Sequence, residues 1–299
     1  MAFTAKDVAA LRERTGCGMM DCKKALTASN GDMDAAIDFL REKGLAAATK
    51  KAGRIAADGM AYAYVDGNVG VAVEVNAETD FVAKNAEFQA FVKTVAETVA
   101  ASNPADLDAL MATQAVGSDK SVEDLRKEKV LTIGENIKVR RFQRYDGVVT
   151  AYIHMGGKIA VLDTTPDTAA KAEFQEYAKN IAMQIAAVNP LYLNSAAVPA
   201  DVVEHERKIA TEQAASTGKP ANVIEKMVEG KIKKYFKEVC LVDQEYVKES
   251  KLSVQQYTDS VAKELGAPIQ IVEFVRFEKG EGLEKRSDNF ADEVASMIK

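Results

Sequence analysis

Only two histidines and three cysteines occur in the 299 residues, and that scarcity removes several kinds of chemistry at once. Cys17, Cys22 and Cys240 are odd in number and form no CxxC pair, so their spacing offers neither a zinc site nor a redox dithiol. Cys17 and Cys22 stand five apart on a short helical stretch and read as buried or half-buried thiols. His205 sits between Glu204 and Glu206 on a helix face turned to water, and His154 ends a strand just before Gly156-Gly157. An imidazole acting as a general base needs an oriented partner, and no Ser/His/Asp or Cys/His arrangement can be drawn here. A Gly-x-x-x-x-Gly-Lys-Ser/Thr loop is also missing, so a nucleotide phosphate has no obvious cradle. Gly16-Cys-Gly-Met-Met-Asp21 is a truncated echo of a dinucleotide fingerprint with no strand in front of it. We therefore expect no covalent chemistry, no cofactor and no metal site.

Apolar runs long enough to cross a membrane are absent too. Met1-Ala-Phe-Thr-Ala-Lys-Asp7 has neither a signal core nor transit character, so the expected address is cytoplasmic and no membrane partner is expected. A formal charge of −6 argues against direct nucleic-acid binding, which calls for a basic surface. The densest basic runs, Lys50 to Arg54 and Lys231 to Lys237, are short and interleaved with apolar residues. What remains is ordinary for a soluble globular chain: 47% hydrophobic and 28% charged residues, with length for two or more domains.

Residues 1–54 read as three short helices. Thr4 opens the first, with Asp7 in near capping-box spacing and Val8 and Leu11 facing inward. Asn30-Gly31 stops the second, and Asp32 caps a third whose Met33, Ile37 and Leu40 share one face. An Ala/Lys/Gly linker is expected from Ala46 to Asp58. Beyond it lies a weak internal repeat: Ala61-Tyr62 recurs 90 residues on as Ala151-Tyr152, and Val69 and Val71 pair with Ile159 and Val161. The same offset pairs Phe91 with Ile181 and Val95 with Ile185. Each copy reads strand, turn, strand, helix and later strand, the later strands being Asn136 to Tyr145 and Ile269 to Glu278. The expected fold is α+β, with two related antiparallel-sheet subdomains each carrying helices on one face. These span residues 55–146, and 147–191 with 243–279. Between them in the second copy, residues 192–242 read as an inserted antiparallel helical hairpin, its arms meeting at Thr217-Gly-Lys-Pro220. Residues 280–299 form a terminal module, with Phe290, Val294, Met297 and Ile298 on one helical face.

The most informative stretch is Glu74-Val-Asn-Ala-Glu-Thr-Asp-Phe-Val-Ala83. Val69, Val71, Val73 and Val75 alternate with Gly70, Ala72 and Glu74, the period of a strand. A helical face follows in Phe88, Phe91, Val92, Val95 and Val99, which places Thr79, Asp80, Phe81 and Val82 on a strand-to-helix turn. Two readings are open on pattern alone. Thr79 or Asp80 caps the helix with Phe81 packed back as a staple, or Phe81 stands out as a contact residue. At the 90-residue offset, the second copy holds Ala169-Ala170-Lys171-Ala172, so Asp-Phe is not what such a turn requires.

Glu74 to Ala83 resembles the second signature of the translation elongation factor Ts family, and Leu11-Arg-Glu-Arg-Thr-Gly-Cys-Gly-Met-Met-Asp-Cys-Lys-Lys-Ala-Leu26 resembles the first. Arg276-Phe-Glu-Lys-Gly-Glu-Gly282 fits the family as well, and the similarity extends over essentially the whole chain. Members are guanine-nucleotide exchange factors for elongation factor Tu. The resemblance implies an N-terminal module of ubiquitin-associated type, the two-subdomain core, self-association through the hairpin, and a terminal helix that docks on the partner. It also implies that Asp80 and Phe81 form a wedge that disturbs the partner's Mg²⁺ and phosphate site, with Thr79 and Val82 holding the turn. Arg12, Met19, Met20 and Lys23 would grip the GTPase domain, and His154 would touch a more distant part of it. Departures are modest: Cys17 where a small residue is usual, and extra residues around Thr164 to Phe174. Intramolecular pairing of the hairpin arms is the plainer alternative to self-association. A three-helix scaffold that recruits partners without remodelling them is the alternative function. A metabolic enzyme would need a pocket with convergent polar groups.

Overall fold

The computed structural model describes residues 3–154, 159–165 and 171–285. The chain is α+β. Its head consists of α1 (Ala5–Thr15), α2 (Met19–Ala28) and α3 (Met33–Lys51). At the start of α1, the Asp7 carboxylate accepts from both the N–H and the hydroxyl of Thr4 at 2.7 and 2.8 Å. Those two bonds hold its carboxyl below the ordinary range. Asp32 accepts from Ala35 N–H at 2.8 Å and so starts α3. Val8, Leu11, Cys17, Cys22, Ala25, Leu26, Ala36 and Leu40 close the head's core.

Of the linker expected from Ala46 to Asp58, only residues 52–57 lie outside helix and strand. Alanine is the strongest helix former, and α3 runs on through Ala46-Ala47-Ala48 to Lys51. This last turn lies against α7 (Val122–Ile133): Gly44 meets the Lys127 backbone, Leu131 joins the head's core, and Ala48 enters the core of the sheet unit. The head is packed against the rest of the chain through α3 and α7.

The first sheet unit holds β1 (Asp58–Asp66) and β2 (Val69–Ala77), then α4 (Asp80–Ala83), α5 (Ala86–Ser102), α6 (Leu107–Ala112), α7 and β3 (Lys138–Asp146). Its sheet is antiparallel in the order β1-β2-β3. The second unit holds β4 (Val148–His154), β5 (Ile159–Thr165), α8 (Ala172–Val188), α9 (Ala200–Ala215) and α10 (Ala221–Val239). It continues with β6 (Glu245–Tyr246), β7 (Glu249–Ser253), α11 (Val254–Leu265) and β8 (Glu273–Glu278). The second sheet has the order β4-β5-β8. Strand β8 starts at Glu273 and not at Ile269, because Ile269 and Ile271 are buried against α8 and α11 outside any ladder.

Strand β2 is buried on both faces, and its alternation explains how. Val71, Val73 and Val75 face the cluster containing Phe88, Phe91, Val92 and Val95 of α5. The other face is made small, and there the two sheets meet through Ala61, Ala63, Ala72, Val149, Ala151 and Phe277. A Cβ on Gly70 would overlap the Val149 side chain, so this close approach requires glycine. The two sheets therefore stack face to face, with helices on the outside.

The repeat needs one correction. Helices α5 and α8 are both 17 residues long, both begin Ala-Glu-Phe-Gln, and both end at a left-handed asparagine, Asn103 and Asn189. They correspond at an offset of 86, not the 90 expected from the strand residues, so Phe91 matches Tyr177 and Val95 matches Ile181. In the first copy the connection between strand and helix, residues 78–85, contains the four-residue α4.

In the hairpin, Ala210, Ala214, Val228 and Ile232 form the buried seam, flanked by Ile224, Met227 and Phe236. Arg207 and Glu229 pair across it, and Arg207 pulls the Glu229 carboxyl below its ordinary range. The terminal helix expected around Phe290 to Ile298 lies outside the described residues. Among the described residues, no helix is long and apolar enough to cross a membrane.

Candidate functional site

Strand β2 delivers the chain to Glu78 and Thr79, where it leaves the sheet for the single turn of α4. Asn85 then caps α5 through its Oδ1, accepting from Glu87 N–H at 2.8 Å and Phe88 N–H at 3.2 Å. Two neighbouring side chains part company on this turn. Val82 is 7% exposed and belongs to the core under β2, whereas Phe81 is 78% exposed. The cap-and-staple reading of the turn therefore fails. Phe81 does not pack back, and Thr79, in the capping position, makes no side-chain cap.

Thr79 turns its hydroxyl to Glu135 instead, donating to Oε1 at 2.7 Å. The other carboxylate oxygen of Glu135 accepts the N–H groups of Glu78 and Thr79, each at 3.0 Å. Glu78 returns the tie: its Oε1 accepts the Asn136 N–H at 2.6 Å and the Arg54 guanidinium at 3.3 Å. The Asn136 amide nitrogen donates to the Arg54 carbonyl at 2.9 Å. Three segments meet here: the chain leaving α3, the Thr79 turn, and the exit of α7.

Asp80 and Lys84 face solvent one turn apart, 3.0 Å from each other. The hydrogen bond from Lys84, together with the charges of Lys84 and Lys279, keeps the Asp80 carboxyl below its ordinary range. The same ammonium lies 5.7 Å from the centroid of the Phe81 ring. Beside the turn opens a cavity of about 500 Å³ lined by Ile55, Asp58, Thr79, Asp80, Phe81 and Lys279.

Just below, Glu74 is fully buried and saturated with donors. It accepts from Asn76 at 3.0 Å, Arg140 at 2.9 and 3.1 Å, Arg141 at 2.6 Å, and the Gly280 N–H at 2.8 Å. A buried carboxylate persists only when its charge is compensated in this way. Gly280 has φ +69, and a Cβ there would overlap the Ala57 carbonyl. Glu74 thus ties β2 and β3 to the turn that follows β8.

In the head, Met19 and Met20 are 48% and 62% exposed at the start of α2, while Cys22 is buried. Arg12 on α1 and Lys23 on α2 are also exposed. The structure keeps these four on the head and Thr79–Val82 on the first sheet unit, the two being linked through α3, α7 and Asn136. His154 closes β4 opposite Ile159, and its side chain lies outside the described residues. Glu135 and Glu78 were not singled out from the sequence. Glu135 follows Gly134 at the end of α7, where it reads as an ordinary exit from a helix, and its partners are more than 50 residues away.

The chain is similar to known proteins along its length. The family model described as Elongation factor TS matches residues 78–281. The chain is 52% identical over 300 residues to an Elongation factor Ts of Clostridium perfringens (strain SM101 / Type A), with 99% of each chain covered. It is 50% identical over 303 residues, covering 100% of both chains, to an Elongation factor Ts of Syntrophotalea carbinolica. It is 46% identical over 301 residues, covering 100% of this chain and 99% of the other, to an Elongation factor Ts of Magnetococcus marinus.

Proposed function

The chain belongs to the elongation factor Ts family, and from that premise we propose that it acts in translation elongation as the guanine-nucleotide exchange factor for elongation factor Tu, with Phe81 and Asp80 loosening the bound nucleotide. The task makes and breaks no covalent bond. A protein that binds the nucleotide-free GTPase more tightly than the loaded one must, by linkage, weaken the hold on GDP and GTP alike. It remains bound until GTP enters.

The observation that carries the reading is the contrast at the turn: Phe81 stands out at 78% exposure while the backbone beneath it is fixed. An aromatic ring held in water gains free energy on entering an apolar seam of a partner. Asp80 is ionised at neutral pH, and its surface pairing with Lys84 is cheap to exchange. It is therefore free to disturb the Mg²⁺ environment that anchors the phosphates. Thr79 and Val82 hold the turn, and Arg12, Met19, Met20 and Lys23 supply the grip on the GTPase domain. His154 contacts a more distant part of the partner.

The test is direct. Elongation factor Tu loaded with fluorescent GDP is mixed with substoichiometric amounts of this protein, and release is timed against excess unlabelled GDP. Release should accelerate in proportion to the amount added. Unchanged release, with binding of the two proteins intact, would support the scaffold reading instead.

A further inference from the structure

An exposed Phe on a loose turn would fold down onto nearby apolar surface, so something must hold the Phe81 turn open. Val82 anchors it on one side and the Asn85 cap fixes its exit. On the entry side, the only side chain among the described residues that reaches the backbone of both Glu78 and Thr79 is Glu135. Its carboxylate also takes the Thr79 hydroxyl at 2.7 Å, and so removes Thr79 from the capping role its position would give it. A carboxylate receiving three donors, two of them backbone amides, makes a stiff joint. The reciprocal bond from Asn136 N–H to Glu78 closes the joint from the other direction.

We propose that Glu135 is a positioning residue for nucleotide exchange: it orients the Phe81 turn before the partner arrives. The proposal rests on the wedge reading of Phe81. It places Glu135 outside the contact itself, so its loss should slow the step in which nucleotide leaves the complex and leave initial binding by the head largely intact.

The variants are Glu135→Ala, Glu135→Gln, Phe81→Ala and the double Glu135→Ala/Phe81→Ala, each measured for maximal GDP release and for the concentration giving half that rate. Glu135→Ala should lower the maximal rate about tenfold, the scale on which small misplacements act, with the half-saturating concentration within about twofold. Glu135→Gln should stay within about threefold of the parent. One amide oxygen can accept both backbone N–H groups, while the amide nitrogen donates to a Thr79 hydroxyl turned acceptor. Because Glu135 acts through Phe81, the double variant should be no slower than Phe81→Ala alone.

A parental maximal rate for Glu135→Ala overturns the proposal, and so does a double variant slower than Phe81→Ala by the full Glu135→Ala factor. If Glu135→Ala does not fold, the volume-conserving pair Glu135→Gln/Thr79→Val decides. It strands the amide nitrogen against a methyl and should be slower than either single change; release equal to the parent overturns the proposal. The wedge reading fails separately, if Phe81→Ala alone releases GDP at the parental rate.

Discussion

The two copies of the repeat solve the same problem with different additions. Each carries a β-hairpin followed by a 17-residue helix that starts Ala-Glu-Phe-Gln and ends on a left-handed asparagine. The first copy places the single turn of α4 between strand and helix, and that turn carries Phe81 into solvent. The second copy places its addition after the helix, as a helical hairpin whose apolar seam closes on itself. None of the hairpin's large apolar side chains is among the strongly exposed ones. One addition spends an aromatic ring on water, and the other buries what it brings. Residues that the fold requires are buried in both copies, so an exposed ring on a clamped helical turn points to a partner.

The comparison also divides the copies at their interface, where Gly70 of the first approaches Val149 of the second. Gly70→Ala should destabilise the protein by about 1–3 kcal/mol, the range for overpacking. Thermal unfolding reads the loss, and adding Val149→Ala should restore part of it by opening the space. A parental melting point for Gly70→Ala would mean that the sheets do not meet this closely. Exchange per folded molecule should not change, because neither residue lies on the Phe81 turn.

The smallest expected effect is on the second copy's addition. Shortening α9 and α10 symmetrically around Thr217 to Pro220 leaves the arms able to pair and stands far in sequence from the turn. Exchange should stay within about twofold, while light scattering reports any change in self-association. Exchange collapsing at constant mass would assign the hairpin to the active surface and break the contrast between the copies.

Several elements were legible in the sequence because their signals are local. Asp32 before the Met33, Ile37 and Leu40 face gave the third helix, and the Val alternation gave β2. The apolar seam around Thr217 to Pro220 gave the hairpin. The other face of β2 was less informative, since Gly70 and Ala72 look neutral until a second sheet is seen against them. The junction after Ala46 is not legible in the sequence, because alanine and lysine suit a linker and a helix equally and only packing on α7 decides. The helices of the repeat carry their own signal, Ala86-Glu-Phe-Gln89 against Ala172-Glu-Phe-Gln175, at an offset different from that of the strand residues. The turn itself was found, but its support was not. Glu135 acts across more than 50 residues of chain, and no local pattern carries that partnership.

The central claim is that Phe81 serves the partner and not the fold, and the double variant Asp80→Ala/Phe81→Ala tests it in one preparation. Its melting point should match the parent's, because the ring is exposed and the Asp80–Lys84 pair is a surface pair of little worth. Its acceleration of GDP release from elongation factor Tu should fall by about a hundredfold, the scale of a contact hot spot. Of the single variants, Phe81→Ala should account for most of that loss and Asp80→Ala for the smaller part. A variant that melts as though about 3–5 kcal/mol had been lost would make Phe81 a core residue, and one that melts normally and still speeds GDP release would contradict the account outright.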